Sequence, residues 1–222
     1  VTPDNRRLLA GVVAALAVYG LLWAGWAQDW GWLTRADDAA LDAAYRVGES
    51  HSGWVTAWDV FCTVLGPGAF RLAVLVLIVL ALLRRRIRLA VFLVVTVELS
   101  GLVTEIAKHL AGRARPDTAF VDAWGLSFPS GHALGVLVAV AALLSVAVPA
   151  VAPSRRAWLI ALGVVIVVTV GVGRVILNVH HPSDVLAGWA LGYAYFLVCL
   201  RLVPPATLTR RDETPAELDI AR

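Results

Sequence analysis

Apolar residues in this chain fall into long blocks separated by short polar breaks. The first block runs from Leu8 to Ala27, and the others cover 55–83, 89–110, 132–148, 157–172 and 185–203. A helix crosses a bilayer in about 17–25 predominantly apolar residues. The pattern therefore predicts an all-α polytopic membrane protein with six transmembrane helices. A secretory signal is the competing reading of the first block. That block exceeds an ordinary signal core and lacks a small-residue cleavage site, so it is read as a retained span.

Two stretches depart from simple blocks. "TRADDAALDAAYRVG" (34–48) sets good helix formers and charges at helical spacing, which predicts a short interfacial helix after the first span. Trp26, Trp30 and Trp32, just before it, mark the membrane surface. Within 55–83, Gly66-Pro67-Gly68 interrupts the apolar run. It allows one kinked span or a half-buried segment that leads into a span from about Gly68, and the second is the expectation. Residues 1–203 are read as one membrane domain, and 204–222 as a polar, disordered cytoplasmic tail.

Composition agrees with that architecture. The chain is 59% hydrophobic and 16% charged, against about 25% charged for a soluble domain. A second, soluble domain is not expected, and neither nucleic acid nor a protein partner is implied. Cys62 and Cys199 both lie in apolar segments, where they act as small hydrophobes and not as a disulfide framework.

The charges give an orientation and an exception. Six spans put both ends of the chain on one side of the membrane. Arg6–Arg7, Arg84–Arg88, Arg155–Arg156 and Arg210–Arg211 fall on that side, which the excess of basic residues marks as cytoplasmic. Lys108, Arg113, Arg115 and Arg174 fall on the other side, where few are expected. Any one of them alone reads as a snorkelling side chain. Four together, in the same loops as His132, His180, His181 and Asp184, favour an anion site.

Three pieces lie at that depth: "KHLAGRARP", "PSGH" and "GRVILNVHHPSD". "PSGH" reads as a helix start, with Ser130 as the cap, Gly131 allowing close backbone approach, and free N–H groups aimed at an anion. Lys108, Arg115 and Arg174 could neutralise the oxygens of a phosphate during phosphoryl transfer. A histidine beside a carboxylate makes an oriented nucleophile or base, and a second histidine can protonate the leaving oxygen. Asp184 is four residues from His180 and three from His181. Both separations allow contact on a helical turn, so spacing leaves the nucleophile open. Zinc is the rival ligand for histidine and aspartate. Three or more cations beside the site would repel a divalent ion, so no metal or other cofactor is expected.

With these residues assembled, the sequence resembles the type 2 phosphatidic acid phosphatase superfamily, integral membrane lipid phosphatases related to the vanadium haloperoxidases. The family's three motifs match Lys108 through Arg115-Pro116, then Pro129-Ser130-Gly131-His132, then Arg174, His180 and Asp184 at the family's spacing. The resemblance covers roughly residues 8–203. It departs at Gly173, where the family carries a serine, and that change is expected to tune activity without abolishing it. The resemblance implies His180 as nucleophile, Asp184 as its orienting carboxylate and His132 as acid and base. Lys108, Arg115, Arg174, Ser130 and Gly131 are then the phosphate-binding set, without metal.

The resemblance further implies hydrolysis of a lipid phosphate or diphosphate at the outer face through a phosphohistidine. Polyprenyl diphosphate is the favoured substrate, because short outer loops leave little room for an elaborate head group. Alternatives are phosphatidic acid, phosphatidylglycerophosphate, transfer to an acceptor other than water, and a non-catalytic lipid-binding or transport role. Of the remaining polar residues, Glu105 is expected to pair with Lys108. Glu98 lies on the same helical face, Arg113 is an auxiliary phosphate contact, His181 a structural or rim residue, and His51 and His109 are interfacial.

Overall fold

The computed structural model describes residues 3–205. Every regular element among them is helical: α1 (Pro3–Ala27), α2 (Gly31–Ser50), α3 (Ser52–Val64), α4 (Pro67–Leu83), α5 (Ile87–Leu93), α6 (Ser100–Ala111), α7 (Gly131–Ala147), α8 (Pro153–Ile176) and α9 (Pro182–Leu202). Six helical stretches are long and apolar enough to cross a membrane. They are α1, α3 with α4, α5 with α6, α7 with the tight turn that follows it, α8 and α9. Beyond Pro205 the expected tail lies outside the described residues.

The bundle has the polarity that a lipid solvent demands. Large apolar side chains face outward, such as Leu72 (66% exposed), Leu83 (76%) and Leu102 (62%), whereas Asp184, Ser130 and Asn178 are fully buried. α7 is the central helix, apolar all round as buried helices are, and it packs against α4, α6, α8 and α9. Gly188 and Gly192 of α9 let that helix approach α7. A Cβ at 188 would lie 2.6 Å from the Ser130 carbonyl oxygen, and one at 192 would lie 3.2 Å from that of Leu134. Small residues serve this purpose wherever membrane helices meet closely.

Several boundaries differ from the hydropathy blocks. α8 extends to Ile176, α6 to Ala111, and α9 begins at Pro182. Arg174 therefore occupies the last turn of α8 and Asp184 the first turn of α9, outside the blocks 157–172 and 185–203, whereas Lys108, inside its block, lies in the last turn of α6. The last two blocks stop short of Arg174 and Asp184. Helices do not, because cations suit a C-terminal dipole and anions an N-terminal one.

The break in the second block is real. α3 ends at Val64, Leu65 closes it, and Pro67 opens α4, where a proline costs the helix no hydrogen bond. The segment before the break is a helix of its own, and α4 starts at Pro67, beside the expected Gly68. Phe61 and Cys62 of α3 pack against Val170 and Leu177 at the C-terminal end of α8. The third span also changes pitch: Val94–Glu98 form one wide π-helical turn between α5 and α6.

Candidate active site

Two local devices turn the chain inward at the end of the bundle that carries the three motifs. α6 stops at Gly112, which adopts the left-handed conformation (φ 71) and donates its N–H to the Lys108 carbonyl. Glycine takes this conformation without penalty. The following loop then runs back over the helix ends with Arg113 and Arg115. α8 ends in the same manner at Asn178 (φ 55), asparagine being one of the few other residues that tolerate it. That turn drops His180 between α8 and α9, 1% exposed.

The imidazole of His180 is oriented from both sides. Nη1 of Arg115 lies 3.1 Å from its Nε2. A guanidinium only donates, so Nε2 accepts and the ring proton sits on Nδ1. Nδ1 in turn faces Asp184 Oδ2 at 3.6 Å and Ser127 Oγ at 3.4 Å. Ser127 donates to the same Oδ2 at 2.6 Å, so it bridges histidine and carboxylate. Burial lowers the His180 pKa from 6.5 to about 4, with Asp184 opposing that shift. The ring is therefore neutral at pH 7.

Asp184 is the hub of the site. Oδ2 also accepts from the His181 backbone N–H (2.8 Å) and lies 3.1 Å from His181 Nδ1. Its Oδ1 accepts from Arg113 Nη1 at 2.8 Å. The other arm of Arg113 reaches Asp37 of α2 at 2.9 Å. Asp37 accepts from the Ser183 N–H (2.9 Å) and from its hydroxyl. Arg113 is thus tied between two buried carboxylates and is not free to hold phosphate, contrary to the sequence expectation. His181 caps α9 in a reciprocal box with Asp184, a structural position.

The predicted cations converge. His132, in the first turn of α7, is surrounded by Arg174, His180, Arg115 and Lys108. Lys108 and Arg174 are 7% and 6% exposed. Lys108 has Glu105 only at 3.8 Å, and Arg174 Nε is buried without a partner. Arg115 spends most of its donors on the carbonyls of Val179, Trp124 and Gly125 and on His180. Burial and the nearby Arg174 lower its pKa from the ordinary arginine value. Among the described residues, neither Arg115 nor Arg174 forms an ion pair. Buried charge is ordinarily paired, so Arg174 and the half-buried Arg115 lack an anion.

Ser130 caps α7, accepting from the Ala133 N–H at 3.4 Å, and its own N–H is bonded to the Asp184 carbonyl at 2.9 Å. Of the two residues expected to offer phosphate their backbone, only Gly131 keeps its N–H free of these contacts. Glu105 is 61% exposed beside Lys108, whereas Glu98 has a buried, unpartnered Oε1, so the two carboxylates do not share an environment. No three His, Cys, Asp or Glu side chains form a metal-holding group among the described residues.

Asp37, Ser127 and Ser183 were missed by sequence reasoning. Only Asp37 left a signal: it lies four residues from Leu33 and from Leu41, on the buried stripe of α2.

Gly173 is explained by packing. A Cβ there would lie 2.5 Å from Cys62 Sγ and 2.8 Å from Trp58 Cε3, so no serine fits while α3 packs as it does.

Known proteins resemble this chain in sequence and in fold. The family profile described as the PAP2 superfamily matches residues 89–208, which carry all three motifs. The phosphatidylglycerophosphatase B of Bacillus subtilis is 30% identical over 168 residues, covering 73% of this chain and 81% of the relative. An undecaprenyl-diphosphatase of Sulfolobus acidocaldarius is 32% identical over 121 residues, covering 51% and 54%. The crystal structure of a transmembrane PAP2-type phosphatidylglycerolphosphate phosphatase from Bacillus subtilis superposes with a TM-score of 0.71 at 25% identity, covering 85% of this chain and 93% of the other. The chain belongs to the PAP2 superfamily of membrane lipid phosphatases.

Proposed function

We propose that this protein removes a phosphate from a lipid at the outer membrane face through a phosphohistidine on His180. The observation that carries the reading is three cations around an oriented neutral imidazole, the buried Lys108 and Arg174 and the half-buried Arg115, whose one carboxylate partner is the exposed Glu105 at 3.8 Å from Lys108. Bound phosphate supplies the missing charge and takes over the Arg115 donor that now rests on Nε2. Nε2 then attacks phosphorus, and the bond from phosphorus to the leaving oxygen breaks. His132 gives that oxygen its proton. Asp184, with Ser127, steadies the positive ring that forms. Water next attacks the phosphohistidine, His132 accepts its proton, and the P–N bond breaks to release phosphate and restore His180.

Both a lipid phosphate monoester and a lipid diphosphate suit this chemistry, and a relative of each kind supports each. The argument from short loops for polyprenyl diphosphate is weakened, because a cleft of about 710 Å3 lies beside the site. The test is phosphate release in detergent with excess EDTA, alongside acid-labile labelling of the protein by radioactive substrate. Release that resists EDTA and disappears with the label in His180→Ala is expected. Label retained in His180→Ala would sink the assignment.

A further inference from the structure

A cavity of about 300 Å3 lies between α4, α5 and α7 at the end of the bundle opposite the phosphate site. Val146 lines it, and at about 1.5 Å of rise per residue that position is about 20 Å along α7 from His132. Ala81 and Leu93, both buried in the core, line it as well, so the space reaches into the bundle. Leu77 and Leu80 are lining residues that remain exposed, so it also opens sideways toward lipid.

The apolar lining ends at Arg84 and Arg86. Both are exposed, and neither forms an ion pair among the described residues. The turn that carries them keeps its charge against backbone preference. The Arg86 N–H donates to the Ala81 carbonyl at 2.7 Å and the Arg85 N–H to that of Leu82 at 2.9 Å, with Arg85 in the left-handed conformation (φ 55). Glycine usually fills that position at a helix end, because an L side chain is crowded there. Basic residues in a short loop orient a membrane protein, but they do so wherever in the loop they stand. Orientation does not require two guanidiniums in the wall of an apolar cavity.

An apolar slot rimmed by paired cations matches an acyl chain joined to an anionic phosphate. The volume is at the lower limit of ligand sites, about 300–1,000 Å3. It suits part of one acyl chain and leaves the head group outside, with the arginines. Guanidiniums hold phosphate oxygens through two parallel hydrogen bonds, and basic pockets between membrane helices bind anionic head groups. A zwitterionic lipid offers the same chain but sets its own cation against the arginines.

We propose that this cavity binds an acyl chain of an anionic phospholipid whose phosphodiester rests on Arg84 and Arg86, at a site separate from the one that hydrolyses phosphate. A phosphodiester has no terminal phosphate to lose, so the occupant is a bound lipid and not a substrate.

Native mass spectrometry of the full chain in detergent, titrated with phosphatidylserine or phosphatidylcholine, tests this. Phosphatidylserine should bind about tenfold more tightly, the scale that two arginines near a lipid surface supply. Arg84→Gln with Arg86→Gln should erase the difference. Arg6→Gln with Arg7→Gln should preserve it. That pair removes equal charge outside the cavity at the same end, where the adjacent Leu8 joins the cluster of Ala81 and Leu93. Ala147→Phe fills the cavity without altering a charge and should weaken phosphatidylserine by a similar factor. A difference that survives the loss of Arg84 and Arg86, or vanishes equally without Arg6 and Arg7, would overturn the proposal. So would phosphatidylserine binding that is indifferent to Ala147→Phe. Equal binding of the two lipids by the parent chain would also overturn it, and would leave the arginines to the chain's own acidic residues Asp212, Glu213, Glu217 and Asp219.

Discussion

His180 is buried yet must ionise during turnover, and its surroundings reconcile the two. Burial favours the neutral ring, with a pKa of about 4 in place of 6.5, so the nucleophile is deprotonated across the physiological range. The acid limb of kcat/KM that belongs to the free enzyme should accordingly fall near pH 4 and not near pH 6.5. The same depressed pKa has a stability sign: the unfolded chain takes up the proton first. Its contribution is intact above pH 6.5 and is lost as pH falls through 4, which unfolding at stepped pH would reveal. Ser127 is a positioning residue between Nδ1 and Asp184. Ser127→Ala should lower kcat by about tenfold to a hundredfold with little change in KM. Equal loss in both parameters would mark a merely structural serine. Gly173 gives a steric case. Gly173→Ser restores the family residue but drives Cβ into Cys62 and Trp58, an overpacking that costs about 1–3 kcal/mol. Thermal unfolding in detergent should show that loss, and Cys62→Ala in the same chain should return part of it.

At the scale of elements, α2 does more than lie on the membrane surface. It carries Asp37 into the site, where the carboxylate holds Arg113 and both donors of Ser183 at the start of α9. Asp37→Ala removes one of the two carboxylates on a buried guanidinium, which costs about 3–5 kcal/mol. Asp42→Ala, on the exposed face of the same helix, should stay within about 0.5 kcal/mol of the parent. Denaturation of the two variants side by side checks the contrast. The pair also shows what the sequence could reveal. The motifs around Lys108, Ser130, His132, Arg174, His180 and Asp184 were readable because each packs chemistry into a few adjacent positions. Asp37, Ser127 and Ser183 each stand alone, and their partners lie 146, 57 and 146 residues away. Only the fold joins them. Arg113 was misread for the same reason: its charge looked available until two distant carboxylates were placed against it. The helix boundaries erred only at their ends, where charges occupy helical turns that a hydropathy window excludes.

At the scale of the whole molecule, one end of the bundle is apolar and structural while the other holds the polar network. The cluster of Val74, Ile78, Phe92, Phe196 and Leu197, joined by Leu8, Leu89, Val146 and Val203, ties together the ends of the spans opposite the site. That end carries the turn at Arg84–Arg86 and the start of α8 with Arg155–Arg156. A basic cluster in short loops stays cytoplasmic, so His180 and the cleft should open to the outside. Both cysteines are buried, Cys62 at 0% and Cys199 at 3% exposure, so the parent chain should be nearly silent to a membrane-impermeant maleimide. Trp124→Cys, at a position 91% exposed in the loop over the site, should label in intact cells. Arg84→Cys, at the opposite end, should label only after the membrane is opened. Reversal of that order would place the phosphate site inside the cell, and the lipid presented to it would then come from the inner leaflet.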